Sequence, residues 1–367
     1  MRQIIYYHQS LPLYEYKFSL KGHNLRSNLF YYYIYPLYVK LFLKENTYVV
    51  VQTEEIRSRF AKKFHFPLDK IGVYFPEVEK IDAEKVRPHN YEKGTFNFFY
   101  PSMGATYKEH ITIVKALQYL YGKAPELVRH IKVHFTLQES DNKELYKCIC
   151  QYHQQDNYVF HGNIPHQQVL SMMKSCESLL FPSVIETLGL PLLEAASLGV
   201  PIITNDLGYG REVLDGYDGV EFVAVHDYER WATIMKACCE KKSRYHYYHH
   251  SVDDSWGNLI RKIKSVSDGH KCTICVLATA SAKRGALAIY NQFVNALANH
   301  DNNVEWHIFV DMGMPMPEIP QVYYHICHTK GFGRVWFDFV GLGRILKRKG
   351  ITPDVVFSLQ NTGTFLF

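Results

Sequence analysis

The chain reads as an α/β protein of two doubly wound, parallel-sheet domains, and three observations lead there. Strand-like apolar runs alternate with helical patterns over most of its length, the arrangement that parallel strands joined by crossover helices require. Its 367 residues exceed one ordinary hydrophobic core, so two domains are expected. A composition of 47% hydrophobic and 21% charged residues is that of a globular chain rather than a disordered one.

The elements follow in order. QIIYYH (3–8), TYVVVQT (47–53) and IGVYFP (71–76) read as strands with helical stretches between them. Residues 28–44, NLFYYYIYPLYVKLFLK, are the densest aromatic run in a chain with 28 tyrosines. Pro36 and Lys40 argue against a membrane span there. A core helix packed on the first domain's sheet is the favoured reading, and a segment lying at a membrane interface is the other. From Phe96 the pattern is strand (FNFFYPS), helix (ITIVKALQYL), strand (IKVHFTL), helix (NKELYKCICQY), strand (YVFHG), helix (HQQVLSMMKSC) and strand (SLLF, 178–181). This makes one doubly wound domain over about 94–250. Residues 251–271 read as a helix around Trp256, Leu259, Ile260 and Ile263 followed by a linker. Residues 272–311 then open a second such domain. CTICVLATA is a strand, Lys283, Arg284 and Gly285 form a loop, Tyr290, Phe293, Val294 and Leu297 line one face of a helix, and VEWHIFVD is another strand. A helix from about Val335 ends in Lys347, Arg348 and Lys349, cations suited to its carbonyl end, before Gly350 and Pro353 break it and PDVVFSLQ begins a strand.

The chemistry concentrates after SLLF. Residues 186–194 read ETLGLPLLE, two glutamates with seven residues between them, leading through a glycine into a helix. Pro191 suits the first helical turn, Leu192, Leu193, Ala196 and Leu198 give an apolar face, and Gly199 with Pro201 ends the helix before VPIIT. Backbone N–H groups left free near Gly189 and Leu190 attract anions, whereas two nearby carboxylates repel phosphate unless they bind hydroxyls. A diphosphate flanked by sugars meets both demands.

The stretch from Phe181 to Val223, FPSVIETLGLPLLEAASLGVPIITNDLGYGREVLDGYDGVEFV, resembles the donor-site core of the retaining family 4 (group 1) glycosyltransferases. The resemblance implies the GT-B fold, two facing Rossmann-like domains. It also places Glu186 by the donor sugar, Glu194 on the nucleotide ribose, and Gly189 and Leu190 at the diphosphate. Lys108 in YPSMGATYKEH matches the family's phosphate-contacting lysine, so the resemblance makes Glu186, Lys108 and His8 the catalytic set. His8, at a strand end, would face the donor sugar or acceptor, and Gly285 would lie where the family's first glycine-rich loop approaches the diphosphate or acceptor. Glu212 resembles the glutamate after the VPIIT strand. Two departures stand out. Ser102 and Met103 occupy a region where many relatives carry an arginine, leaving Lys108 alone or helped by a cation such as Arg211, and only one glycine is present near Gly285 where relatives often have two.

In that family the piece like 272–367 precedes the piece like 1–93, so the order here resembles a circular permutation. Residues 272–367 would be the first part of the acceptor domain, 1–93 its second part, 94–250 the donor domain and 251–271 the join. Contacts rather than chain order bury a core, which makes such a rearrangement physically permissible. A join between fragments of two adjacent related genes is the competing reading.

Other classes are excluded or disfavoured. A net charge of 41 − 36 = +5 is too small to argue for nucleic acid but suits anionic substrates or an anionic membrane surface. The eight cysteines form no repeated framework and read as reduced thiols. Cys272 and Cys275 sit in an apolar strand with no second pair at zinc-ribbon spacing. No aspartate has another two positions away, which points to metal-independent chemistry without a cofactor. No signal sequence and no long apolar span is present, so a cytoplasmic protein, at most touching the inner face of the membrane, is expected. The resulting expectation is a retaining hexosyltransferase using a UDP- or GDP-linked sugar, with a glycan or lipid-linked acceptor in surface polysaccharide synthesis. The alternative is a non-catalytic nucleotide-sugar-binding protein left by gene rearrangement. A nucleotide-sugar epimerase and a glycogen phosphorylase share the fold type but lack their characteristic residues here.

Overall fold

The computed structural model describes residues 2–15, 29–76, 81–250, 254–265, 272–281, 284–298 (backbone alone for 284 and 285), 304–327, 333 and 336–364. In chain order the first elements are β1 (Arg2–Tyr6), α1 (Tyr35–Phe42), β2 (Thr47–Val51), α2 (Glu54–Phe64) and β3 (Ile71–Val73). Next come β4 (Phe96–Tyr100), α3 (His110–Lys123), α4 (Pro125–Arg129), β5 (Ile131–Phe135), α5 (Lys143–Gln151), β6 (Tyr158–Phe160), α6 (His166–Ser175) and β7 (Ser178–Phe181). They continue with α7 (Leu190–Ser197), β8 (Ile202–Asn205), α8 (Gly208–Val213), β9 (Val220–Val223) and α9 (Tyr228–Glu240). The remainder is α10 (Ser255–Ser265), β10 (Cys272–Leu277), α11 (Arg284–Ala298), β11 (Val304–Val310), β12 (Val322–Ile326), α12 (Leu342–Lys349) and β13 (Val355–Ser358).

The chain divides into two units, one of Met1–Glu77 with Val252–Phe367 and the other of Val78–Ser251. Among the described residues each holds one sheet, and every strand pairing is parallel. The second unit has strand order β6-β5-β4-β7-β8-β9, which counted along the chain is the doubly wound order 3-2-1-4-5-6. The first unit has the order β12-β11-β10-β13-β1-β2-β3. Counted from β10 it repeats the same order with a seventh strand added. β1 lies beside β13 in register, Arg2 against Val355 and Ile5 against Ser358, so strands from the two ends of the sequence share one sheet.

Parallel strands buried on both faces read as continuous apolar runs. In β10, Ile274 and Val276 face one core with α10 and α11, through Trp256, Ile260, Tyr290 and Phe293. Cys275 and Leu277 face the other core, with Phe337, Leu342 and Leu346. Cys272 belongs to the first core and Cys275 to the second. A spacing of three along a strand puts them on opposite sides of the sheet, so the C-x2-C cannot act as one chelating pair.

One boundary differs from the sequence expectation. Residues 81–93 go with the second unit, not with 1–76. Lys174 donates to the carbonyls of Ala83 (2.7 Å) and Val86 (2.8 Å), and the His89 N–H donates to Ser175 Oγ (2.7 Å). These bonds fasten the segment along α6. The first half of 251–271 is the helix expected around Trp256: α10 buries that residue with its ring 5.5 Å from Tyr6 and stacked on it, and belongs to the core of the first unit.

Local signals set the helices. α2 starts at Thr53, whose hydroxyl accepts the Ile56 N–H at 3.3 Å. It carries Glu54 and Glu55 in its first turn, Lys62 and Lys63 in its last, and His65 left-handed beyond it. The run 28–44 becomes a π-helical turn, Phe30–Ile34, leading into α1. Tyr35, Val39 and Phe42 face inward, yet Tyr33, Ile34, Leu37 and Leu41 are exposed, so the core-helix reading holds for one side only.

Candidate functional site

The second unit gathers most of the expected residues at the carboxyl ends of its strands, where ligands bind in doubly wound sheets. β4 ends at Tyr100, and the chain passes through a 3-10 turn, Thr106–Lys108, into α3. The Tyr100 hydroxyl donates to the Lys108 carbonyl at 2.8 Å, and the Val184 N–H donates to the Tyr107 carbonyl at 3.0 Å. The turn after β4 is thereby fixed to the loop after β7. Between those two segments the Lys108 ammonium makes an ion pair with Glu186 Oε1. Both side chains are largely shielded, 14% and 13% exposed, and the ammonium also lies 5.8 Å from the centre of the Phe181 ring. In such a setting a charge contact is screened far less than at the surface.

The helix carrying the second glutamate begins where the sequence indicates. Gly189 caps α7 with φ +73°, a left-handed conformation that suits glycine, and Leu190 and Pro191 open the first turn. A Cβ at Gly189 would press on Leu192. Gly199 ends the segment at φ +65°, its Cα so near the Tyr245 carbonyl that a side chain has no room. Glu194 is 15% exposed, and its Oε1 sits 2.8 Å from Nε2 of His166, the first residue of α6. That histidine carried no signal in the sequence, because 28 positions separate it from the glutamate it touches.

Ser102 and Met103 occupy the region where the family resemblance implies an arginine, and there Ser102 meets a histidine. Ser102 Oγ lies 2.7 Å from His110 Nε2. His110 is buried and its pKa is lowered to about 3, first by burial and then by Lys108, so its ring is neutral. Its Nδ1 has no hydrogen-bond partner. Since buried N–H groups rarely go unpaired, the proton belongs on Nε2, which donates to Ser102. Arg211 is engaged by Asp206 through two nitrogens, the second bond 2.8 Å long, and this contact holds the Asp206 carboxyl below its usual pKa. Glu212 lies beside it within α8 rather than in a loop.

His8 and Gly285 belong to the first unit. His8 follows β1, and both its backbone N–H and its Nε2 meet the side chain of Asn361, the ring contact at 3.2 Å. Gln360 Oε1 accepts the Thr279 hydroxyl at 3.0 Å. The carboxyl ends of β10, β13 and β1 are thus laced together by polar side chains. Gly285 falls inside the first turn of α11, not in the loop expected for it, and Lys283 lies outside the described residues. Among the described residues no group of three or more His, Cys, Asp or Glu side chains could hold a metal ion, and no helix is long and apolar enough to cross a membrane.

Comparison with known proteins agrees with the fold. The family model described as "Glycosyl transferases group 1" matches residues 82–250, just under half of the chain. The chain is 22% identical over 198 residues to a D-inositol 3-phosphate glycosyltransferase of Arthrobacter sp. (strain FB24), covering 52% of this chain and 47% of the relative. It is 21% identical over 239 residues to an O-antigen chain mannosyltransferase of Salmonella typhimurium, covering 62% of each. The chain therefore spans less than two thirds of either relative. Among solved structures it is similar to WaaG, a glycosyltransferase involved in lipopolysaccharide biosynthesis, with a TM-score of 0.50 at 14% identity over 65% of this chain and 66% of that one. Two doubly wound parallel sheets and a matched second unit make this a GT-B-fold protein similar to the group 1 glycosyltransferases.

Proposed function

We propose that the protein is a retaining glycosyltransferase that moves a sugar from a UDP- or GDP-linked donor to a glycan or lipid-linked acceptor in surface polysaccharide synthesis. The observation that carries this reading is the shielded Lys108–Glu186 pair at the carboxyl ends of β4 and β7, next to the helix start at Gly189. A departing nucleoside diphosphate gains negative charge as its bond to the sugar breaks. A cation and backbone N–H groups already in place stabilise that charge without reorganising at the moment of reaction. Lys108 takes this part, with the N–H groups at Gly189 and Leu190. Glu186 contacts the donor sugar, and Glu194, held by His166, accepts the ribose hydroxyls. No metal ion enters the scheme, since Lys108 and the helix start supply the positive charge.

By the family resemblance, His8, held by Asn361, has its role at the donor sugar or acceptor and Gly285 at the diphosphate or acceptor. In this reading residues 272–367 and 1–76 are the two parts of one acceptor domain in permuted order. What supports it is the strand order of the first sheet, which becomes that of the second when counted from β10. With a lipid-linked acceptor the enzyme would work in the cytoplasm against the inner membrane face.

The Ser102–His110 contact, in the region where the family resemblance implies an arginine, favours one second reading, a protein that binds nucleotide-sugar without turning it over. Donor consumption tests the choice. Release of UDP or GDP from a matching nucleotide-sugar, lost in Glu186→Gln while donor binding persists, is the result expected of the transferase. Binding with no release under any acceptor condition supports the second reading.

A further inference from the structure

We infer that Glu109, held by His226 from the loop after β9, is a positioning residue that aims the Lys108 ammonium at Glu186. The inference deepens the proposed function and rests on Lys108 having the part given to it there.

Glu109 stands at the junction of two elements. Its N–H donates to the Thr106 carbonyl at 3.0 Å and closes the turn Thr106–Lys108, while its carbonyl accepts the Thr112 N–H at 2.9 Å and opens α3. The backbone angles of this one residue therefore fix how the turn meets the helix, and with it where the adjoining Lys108 points. Those angles are left-handed, φ 52° and ψ 37°. Left-handed backbone crowds the Cβ of any residue but glycine, and the residue before a helix is ordinarily extended. His65 and His153 are also left-handed, but they follow the last turns of α2 and α5, where helices commonly end in this way. Glu109 begins a helix, and its side chain does not cap it. Strain of this kind persists where surrounding contacts impose it, and it gathers at functional sites.

His226 supplies such a contact. Its Nε2 lies 3.2 Å from Glu109 Oε2, although 117 positions separate the two residues. A carboxylate only accepts, so Nε2 carries the proton and donates the hydrogen bond. The Glu109 side chain is 15% exposed, which shields its end of the contact from water. His226 is itself left-handed, at φ 65°. Neighbouring bonds fix the loop that presents it. The Tyr228 N–H donates to the His226 carbonyl at 2.9 Å, Asp227 Oδ1 accepts the Arg230 N–H at 3.0 Å at the start of α9, and Lys115 of α3 donates to the Tyr228 hydroxyl at 3.3 Å. The segment beyond β9, an edge strand of this sheet, thus reaches back to the turn after β4. Two strained residues meet there, one of them adjoining the cation that the proposed chemistry uses.

Acetylation of the full chain with acetic anhydride, read at Lys108 by mass spectrometry, tests this without turnover, because a shielded, ion-paired amine reacts more slowly than a loosened one. His226→Asn removes the ring but keeps a residue that accepts left-handed backbone. It should speed labelling of Lys108 by about three- to fivefold, the scale of a partly exposed ion pair. Glu109→Ala keeps the strain and loses the contact, and should speed labelling by about tenfold. Glu109→Gly takes the left-handed conformation without strain, so Lys108 should label as slowly as in the wild type, and adding His226→Asn to it should change nothing further. In the transfer assay His226→Asn and Glu109→Ala should lower kcat in the same order. Equal labelling of Lys108 in the wild type and both of those variants would overturn the inference, as would faster labelling that persists when Glu109→Gly is combined with His226→Asn. Faster labelling of lysines throughout the second unit would also overturn it, making the pair a contact that merely stabilises the fold. The expected labelling pattern in a chain that neither binds nor consumes nucleotide-sugar would support the positioning and overturn the proposed function.

Discussion

Lys108, in the turn after β4, forms an ion pair with Glu186, in the loop after β7, although 78 positions separate them. In the proposed reading this pair sets a cation, balanced by a carboxylate, where the donor diphosphate binds.

Replacing Lys108 by alanine should lower kcat by roughly 10²- to 10³-fold, an effect of about 2.7 to 4 kcal/mol, the scale for losing one charge-stabilising donor. Steady-state kinetics with a saturating donor would measure it. An unchanged kcat removes Lys108 from the chemistry.

Glu186→Gln separates binding from reaction. Loss of the carboxylate leaves Lys108 without this counter-charge, so affinity for the free nucleoside diphosphate should hold or rise while sugar transfer falls by about 100-fold. Calorimetric titration and a transfer assay on the same preparation test both halves. Parallel loss of binding would mean that the pair acts as structure.

His166→Ala should raise the donor KM several-fold with little change in kcat, because the histidine positions Glu194 and touches no reacting atom in the proposed scheme. A fall in kcat at constant KM would place it elsewhere in the reaction.

Acid should destabilise the fold through buried neutral histidines. His110 and His134 have pKa values lowered to about 3 by burial, against 6.5 in an unfolded chain. As pH falls below 6.5 the unfolded chain takes up protons that the native rings refuse, so stability is full above that value and is lost progressively towards pH 3. The loss is on the order of a few kcal/mol for a fully buried ring such as His110. Urea unfolding from pH 7.5 to 5 should show it, with a shallower slope for His110→Gln. An identical slope would mean that the ring is already charged in the native state.

Much of this architecture is legible in the sequence because buried parallel strands are written as uninterrupted apolar runs, as in FNFFY and SLLF. β12 is not, since it is an edge strand whose Tyr323 and Ile326 are half exposed and whose pattern has no clean period. Glu186, Gly189 and Glu194 are readable because a glycine between a strand and a helix fixes their local geometry. His166 and His110 are not, because what matters about them is a contact: one meets a glutamate 28 positions away, and the other is neutral only because of its burial. The unit boundary near 77 escaped for a similar reason, since residues 81–93 are placed by hydrogen bonds to α6 and not by any periodicity of their own.

The most direct test of the central claim is calorimetric titration of the wild-type chain and Lys108→Ala with UDP- and GDP-linked hexoses. The account predicts saturable binding of one nucleotide class by the wild type and at least tenfold weaker binding by the variant. Binding of neither class, or equal affinity in both proteins, would contradict it.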